Sequence, residues 1–386
     1  MSIMGIYLDY NASAPIDSEV LKAMINVYRD HIGNADSRTH TYGEGAREIV
    51  ESARKQVAEL LKVTPGEVFF TSGATESDNI AIQGLFDYAC ESGKKHIITS
   101  TIEHKAILKT VKEMERRGFE VDFVDPNASG RIDPEKVFQK IRDNTLLVSI
   151  MHVNNETGII QPIHEIGGEL AARNIFFHID ATQSCGKLVK ELQTVKYSML
   201  SFSAHKLEGP QGIGVLVLRK KNYKLPPVKS IMFGGQQERG IRPGTVPVAL
   251  VAGCGKACEI ALNSYEENAK KLKNIKELIL KLLIESGVSY SLNGDQANCL
   301  DNTINICFHG VSSEALMLSS KQYCSISNGS ACTSSNYAPS YVLSAMGIPT
   351  NQIENSIRIS WGPKTNIDEL TEGISKLLAI AKSLAP

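Results

Sequence analysis

Phe176-Phe177-His178-Ile179-Asp180-Ala181-Thr182-Gln183 runs apolar almost without interruption and stops on a carboxylate. A strand that is apolar on both faces has no solvent side, so it belongs in a sheet covered by helices above and below. The carboxylate that closes it must be paired or hydrogen-bonded. Runs of the same kind stand before and after it: Val68 to Thr71, His96 to Ser100, Val121 to Val124, Leu146 to Val153, Leu200 to Ser203 and Gly214 to Leu218. Most are separated by segments of helical period. This alternation predicts an α/β layered fold with a mostly parallel central sheet. Ligands of such folds gather at the carboxyl ends of the strands.

Ahead of the first run, Leu21, Met24, Tyr28 and Ile32 recur at helical spacing after Asp17 and Ser18. Ile49, Val50, Ala53, Val57 and Leu60 do so again before Pro65-Gly66. Two helices facing the core through these positions are expected. From about residue 262 the texture changes, with a Lys/Glu-rich helical stretch from Tyr265 to Ile284, then strand, helix and strand patterns and a last helix, Asp368 to Leu384. This reads as a second, smaller α+β domain. The expected division is 15–261 for the large domain, with 1–14 and 262–386 forming the small one. Gly234 to Thr245, rich in Gly, Gln and Arg and with little to bury, reads as a functional loop.

The 386 residues carry 41 Lys+Arg against 42 Asp+Glu, a formal net charge of −1, which excludes a polyanion binder working by bulk charge and leaves no direct nucleic-acid partner. With 42% hydrophobic and 22% charged residues, the chain has an ordinary globular composition. It has no apolar run of about 18 residues to span a bilayer, and its first residues lack the pattern of a signal peptide. A cytoplasmic protein is expected. Eight cysteines are too sparse for a disulfide framework in a chain of this length, as in a reducing compartment. Cys254 and Cys258 share one helix face, but no second ligand pair follows, so they read as packing and no metal is expected.

The polar residues at the strand ends carry the chemistry. Ser72-Gly73-Ala74-Thr75-Glu76-Ser77 opens a helix with small residues and hydroxyls, and such an N-terminus offers N–H groups and a positive dipole end to an anion. It also reads as a plain cap. Thr101-Ile102-Glu103-His104 begins another helix, where a histidine is either a cap or a catalytic ring. Asn154-Asn155-Glu156-Thr157-Gly158 is turn-forming in any case. Lys206 closes Leu200-Ser201-Phe202-Ser203-Ala204-His205-Lys206 beside a Gly-rich bend. There it is either a snorkelling side chain or a desolvated amine nucleophile. Each signal alone is weak. Together they supply a Schiff-base lysine, an acid for a pyridinium nitrogen, a histidine to stack on a ring, and donors for a phosphate, the needs of pyridoxal 5′-phosphate.

Beyond these, long motifs match a known family. They are Thr71-Ser72-Gly73-Ala74-Thr75-Glu76-Ser77-Asp78-Asn79, Glu103-His104-Lys105, Val153-Asn154-Asn155-Glu156, Asp180-Ala181-Thr182-Gln183-Ser184, Ser203-Ala204-His205-Lys206, Arg242-Pro243-Gly244-Thr245 and Gly329-Ser330-Ala331-Cys332-Thr333-Ser334. From Tyr7-Leu8-Asp9-Tyr10-Asn11-Ala12 to Ser356-Ile357-Arg358-Ile359-Ser360, the sequence resembles the cysteine desulfurases of the NifS/IscS type. These belong to the class V aminotransferase group of fold-type I pyridoxal phosphate enzymes.

The resemblance implies that Lys206 holds the cofactor and moves the Cα proton of L-cysteine, that Asp180 pairs with the pyridine nitrogen, and that His104 stacks on the ring. It assigns Gln183 to the phenolic oxygen and Asn155 to the ring and substrate. Thr75, Ser203 and His205, with the Ala74 and Thr75 backbone, hold the phosphate, and Thr245 reaches the phosphate of the other subunit in a homodimer. Arg358 binds the substrate carboxylate. Cys332, on a mobile loop at about 325–337, attacks the substrate sulfur, and the resulting persulfide passes to an acceptor protein. That acceptor serves iron-sulfur assembly, tRNA thiolation or DNA modification.

The polar residues around Cys332 leave it accessible, whereas Cys90, Cys185, Cys254, Cys258 and Cys307 read as packing and Cys324 as ambiguous. Two features depart from housekeeping members: the chain ends at Ala385-Pro386 without their longer tail, and Asn328 stands where they have serine. The second is similar to desulfurases that supply DNA phosphorothioate modification. Selenocysteine lyases and aminotransferases share the fold, and a sulfur-relay subunit with lapsed chemistry would keep it. Cys332 speaks against an aminotransferase, and the intact set of Lys206, Asp180, His104 and Cys332 against lapse.

Overall fold

The structure, a computed structural model, describes residues 5–328 and 339–385. Twelve strands occur among them: β1 (Ile6–Tyr7), β2 (Val68–Thr71), β3 (His96–Ser100), β4 (Glu120–Val124), β5 (Thr145–Met151), β6 (Phe176–Asp180), β7 (Met199–Ser203), β8 (Gly214–Leu218), β9 (Tyr290–Leu292), β10 (Thr303–Phe308), β11 (Cys324–Ser325) and β12 (Ser356–Ser360). Seven form the central sheet in the order β2-β8-β7-β6-β5-β3-β4. Its pairings are parallel except for those of β8 with β2 and β7. The apolar runs therefore mark every strand of this sheet. β2, β3, β5, β6 and β7 all end at the same sheet edge, and their five polar turns meet there.

Apolar side chains cover both faces of the sheet. A separate core forms around the antiparallel sheet β12-β10-β9, where Leu8, Ile304, Ile306, Ile357, Trp361, Leu370 and Ile374 are buried together. One 39-residue helix, Val248–Ser286, joins the two cores. Its Val251, Cys254 and Ala257 pack in the first core, and its Leu272, Ile275 and Ile279 in the second. The Lys/Glu-rich stretch from Tyr265 is thus the far half of a longer helix. Gly255 makes its crossing possible, because a Cβ there would lie 2.6 Å from the Cα of Ala53. No helix among the described residues is long and apolar enough to cross a membrane.

Two expectations are corrected. Helix Ser18–Asp30 faces the core through Val20, Met24 and Val27, while Leu21, Tyr28 and Ile32 are 43%, 65% and 78% exposed. Of the four expected positions Met24 is buried and the other three are not: the helix is apolar on two sides, and periodicity alone does not say which is covered. Cys90 is exposed, because Ala89 takes the buried position on the short helix Phe86–Ser92. The other expected packing cysteines are buried.

Candidate active site

The turn after β2 packs tightly under the ends of β7 and β8. A Cβ on Gly214 would lie 2.5 Å from Gly73 Cα, and one on Gly73 would meet Ser203 Oγ at 3.3 Å. Ala74 N–H donates to Ser203 Oγ at 2.7 Å, so that donor is engaged within the cradle itself. Thr75, exposed on the first turn of helix Ala74–Gln83, lines one cleft with Asn79, His104 and Lys105.

His104 caps helix Lys105–Arg116, its Nδ1 accepting Ala106 N–H at 3.2 Å. Burial holds its pKa below the ordinary value; Asp180 pulls the other way, and Lys206 and Lys105 push it further down. The ring is therefore neutral near pH 7, with its proton on Nε2.

Beside it, Glu103 accepts Ser100 Oγ–H at 2.5 Å and Met151 N–H at 3.1 Å, and burial pushes its pKa up to about 8. In the unfolded chain this carboxyl ionises near 4.5. Between these values the folded state binds more protons than the unfolded state, so Glu103 costs stability as pH rises from about 4.5 to 8. Glu103→Gln, neutral throughout, is expected to flatten the fall in Tm across that window. A melting series in which variant and wild type decline in parallel would contradict this.

After β5, Asn154 Oδ1 accepts Glu156 N–H and Thr157 N–H, and its Nδ2 reaches Ile102 O at 3.0 Å, tying this turn to that of His104. Asn155 presents a buried Oδ1 with no hydrogen-bond partner among the described residues, an orphan acceptor that a ligand donor would satisfy. After β6, Asp180 is buried and accepts Thr182 N–H at 2.9 Å. Gln183 Nε2 donates to Asn11 O at 3.0 Å. After β7, burial and Lys206 push the His205 pKa down to about 4. Lys206 Nζ donates to the carbonyls of Asn11 and Ala12, each at 2.6 Å.

Arg358, on β12 of the second core, joins this edge. Its Nη1 donates to Asn155 O at 2.9 Å and its Nη2 to Asp9 Oδ1 at 2.6 Å, while the buried Nε has no partner among the described residues. Its backbone pairs with Ser327. Just beyond residues 329–338, Ser340 Oγ donates to Glu156 at 2.5 Å and Tyr341 OH to Glu103 O at 2.8 Å. Cys332 itself lies outside the described residues. Thr245 is exposed, on a loop whose Arg242 and Gly244 line a small cavity with Thr71 and Ser72.

Four participants escaped the sequence reading. Asn11 is a hub: its carbonyl receives Lys206 and Gln183, and its Nδ2 donates to Asn155 O and Thr303 Oγ1. Asp9 pairs with Arg358, and buried Glu156 has its pKa raised to about 7. Lys187, pushed down to about 8 by burial, donates to the carbonyls of Gln183 and Lys206. Asp9-Tyr10-Asn11 gave a signal, two polar residues directly after an apolar run.

The donor set fits a phosphorylated pyridine aldehyde: an amine, a buried carboxylate, a neutral imidazole, an orphan amide oxygen and a hydroxyl-lined helix start meet at one edge. The aminotransferase class-V family matches residues 6–372. The cysteine desulfurase IscS of Photorhabdus laumondii subsp. laumondii is 44% identical over 99% of this chain and 95% of its own length. A solved NifS-like protein is 34% identical with a TM-score of 0.90, covering 98% of this chain and 100% of that one. SspA in complex with cysteine is 36% identical with a TM-score of 0.81, over 94% and 100% of the two chains. The chain belongs to the aminotransferase class-V family and, within it, to the cysteine desulfurases, which are pyridoxal phosphate-dependent.

Proposed function

We propose that this chain binds pyridoxal 5′-phosphate at the strand-end edge and converts L-cysteine to L-alanine, leaving a persulfide on Cys332 that passes to an acceptor protein. The convergence of Lys206, Asp180, His104 and the Arg358 fork on one edge carries this reading. Bound there, the cofactor supplies an electron sink for bonds at the substrate Cα. Asp180, buried at the end of β6, would pair with the ring nitrogen and hold a proton on it. The Ser72-to-Thr75 turn, Ser203 and His205 hold the phosphate, and Gln183 faces the phenolic oxygen. Lys206 moves the Cα proton, and neutral His104, with a proton on Nε2, assists that transfer. Arg358 grips the carboxylate while Asn155 orients the substrate.

The Cys332 thiolate then attacks the substrate sulfur. The S–S bond forms as the Cβ–S bond breaks, and that bond's electron pair stays with the carbon fragment, which leaves protonated as alanine. The neighbours of residues 329–338 support this role: Ser327 is bridged to Arg358, and Ser340 and Tyr341 are bonded to Glu156 and Glu103. A structure similar to this chain holds cysteine.

A homodimer is part of the proposal. Leu21, Ile25, Tyr28 and Ile32 form an exposed apolar stripe and Phe233 is exposed as well, surface that a second copy would cover. The division into 15–261 and 1–14 with 262–386 draws support from the two separate cores, and its boundary falls within helix Val248–Ser286. The acceptor class, whether iron-sulfur scaffold, thiolation protein or DNA-modification protein, is left to capture of the protein that takes labelled sulfur from Cys332.

Arg358→Ala is expected to raise KM for L-cysteine roughly tenfold or more, with a smaller change in kcat, because a charge-assisted fork to the carboxylate is lost. Steady-state kinetics with an unchanged KM would assign the carboxylate to another residue.

A further inference from the structure

β2 is an outer strand of the central sheet, paired among the described residues with β8 alone. The Phe70 N–H and Val68 C=O on its free edge would otherwise stand exposed as a template for pairing. Side chains cover them. Glu238 Oε2 accepts Phe70 N–H at 2.8 Å, and Arg54 Nη1 and Arg239 Nη2 donate to Val68 O at 2.8 and 2.7 Å. Arg54 closes the set with a two-pronged pair to Glu238 at 2.7 and 2.8 Å, and the two side chains are only 5% and 3% exposed. The guanidinium groups of Arg54 and Arg239 lie over the rings of Phe70 and Phe69, 4.9 and 4.0 Å from the centroids.

Successive side chains reach one edge here because Glu238, Arg239 and Gly240 take φ of 46°, 56° and 79°. Two consecutive non-glycine residues in the left-handed region persist only where the surroundings over-determine them. The segment expected to have little to bury thus holds a buried ion pair. Directly after it come Ile241, Arg242, Pro243, Gly244 and Thr245. That stretch is tied down a second time: Arg242 Nε donates to Glu76 Oε1 at 3.1 Å, and the other Glu76 oxygen accepts Ser72 N–H at 2.5 Å. The first tie ends on β2, and the second on Glu76 in the first turn of helix Ala74–Gln83, which in turn holds Ser72 just after β2.

We propose that Glu238 is a positioning residue: its pair with Arg54 sets the left-handed turn that places Thr245, and so sets the phosphate site that Thr245 completes. This rests on the cofactor and shared-dimer reading above. Losing the Glu238 charge removes the two-pronged, buried partner of Arg54 and leaves it only the half-exposed Glu51 as a counter-charge. The turn is then released, and no group assigned to the ring is altered.

The test compares two ligands of the cofactor-free protein, pyridoxal 5′-phosphate and pyridoxal, the second lacking the phosphate. Glu238→Gln is expected to weaken the first roughly tenfold and the second by less than roughly twofold. Thr245→Ala should show the same selective loss, and the double variant no more than the larger single one, since the two act through one contact. Arg239→Gln, less buried, should shift the ratio in the same direction and serves if Glu238→Gln does not fold. Equal weakening of both ligands, an unchanged ratio in Arg239→Gln, or full additivity with Thr245→Ala would overturn the proposal. Wild-type protein that binds neither ligand would instead overturn the cofactor reading.

Discussion

Lys206→Ala is expected to abolish desulfuration, by roughly a thousandfold or more, and to remove the visible absorbance that a lysine-bound pyridoxal group gives the purified protein. Lys206 ends the 3-10 turn Ala204–Lys206 that follows β7 and holds its amine against the carbonyls of Asn11 and Ala12, within electrostatic reach of His104. Lys187, though buried, directs its amine to the backbone carbonyls of Gln183 and Lys206. Borohydride should fix the cofactor to wild-type protein irreversibly at Lys206 and leave Lys206→Ala unlabelled. Label recovered on another lysine would reassign the anchor.

Cys332→Ser is expected to remove sulfur transfer to the same degree while leaving the visible spectrum, and its response to added cysteine, intact. A hydroxyl cannot accept the sulfur, whereas groups that bind cofactor and substrate are untouched. The other thiols are poor substitutes. Burial pushes Cys324 and Cys299 up to about 11 and Cys185 higher still, so none presents a thiolate near neutral pH. Cys90 is exposed, on a helix that none of the strand-end turns contributes to. Cysteine-dependent sulfide release that survived in Cys332→Ser would favour an aminotransferase or lyase chemistry on the same fold.

How much of this was legible in the sequence follows from what each residue has to satisfy. The seven central strands were, because strands covered on both faces are apolar throughout and contrast with the helices between them. Their carboxyl ends were legible too, since Asp180, Lys206 and His104 break apolar segments where a polar group needs a reason to stand. The face of helix Ser18–Asp30 was not, because Leu21 and Tyr28 are as apolar as Val20 and Val27, and nothing local says which stripe the chain itself covers. Glu238 was hidden for the opposite reason. A charged residue in a Gly-rich stretch reads as solvated, and its partner Arg54 is far away in sequence on another helix. Asn11 works through its backbone carbonyl, which carries no residue-specific signal.

The central claim, that sulfur from L-cysteine is placed on Cys332, is tested most directly by mass analysis of the peptide containing Cys332 after brief exposure of the holoenzyme to L-cysteine, with alkylation to trap the product. The expected result is one added sulfur on that peptide, reversed by a thiol reductant and absent from the Lys206→Ala protein. Alanine formation with the added sulfur on Cys90 or another cysteine, or with none on the protein, would contradict it.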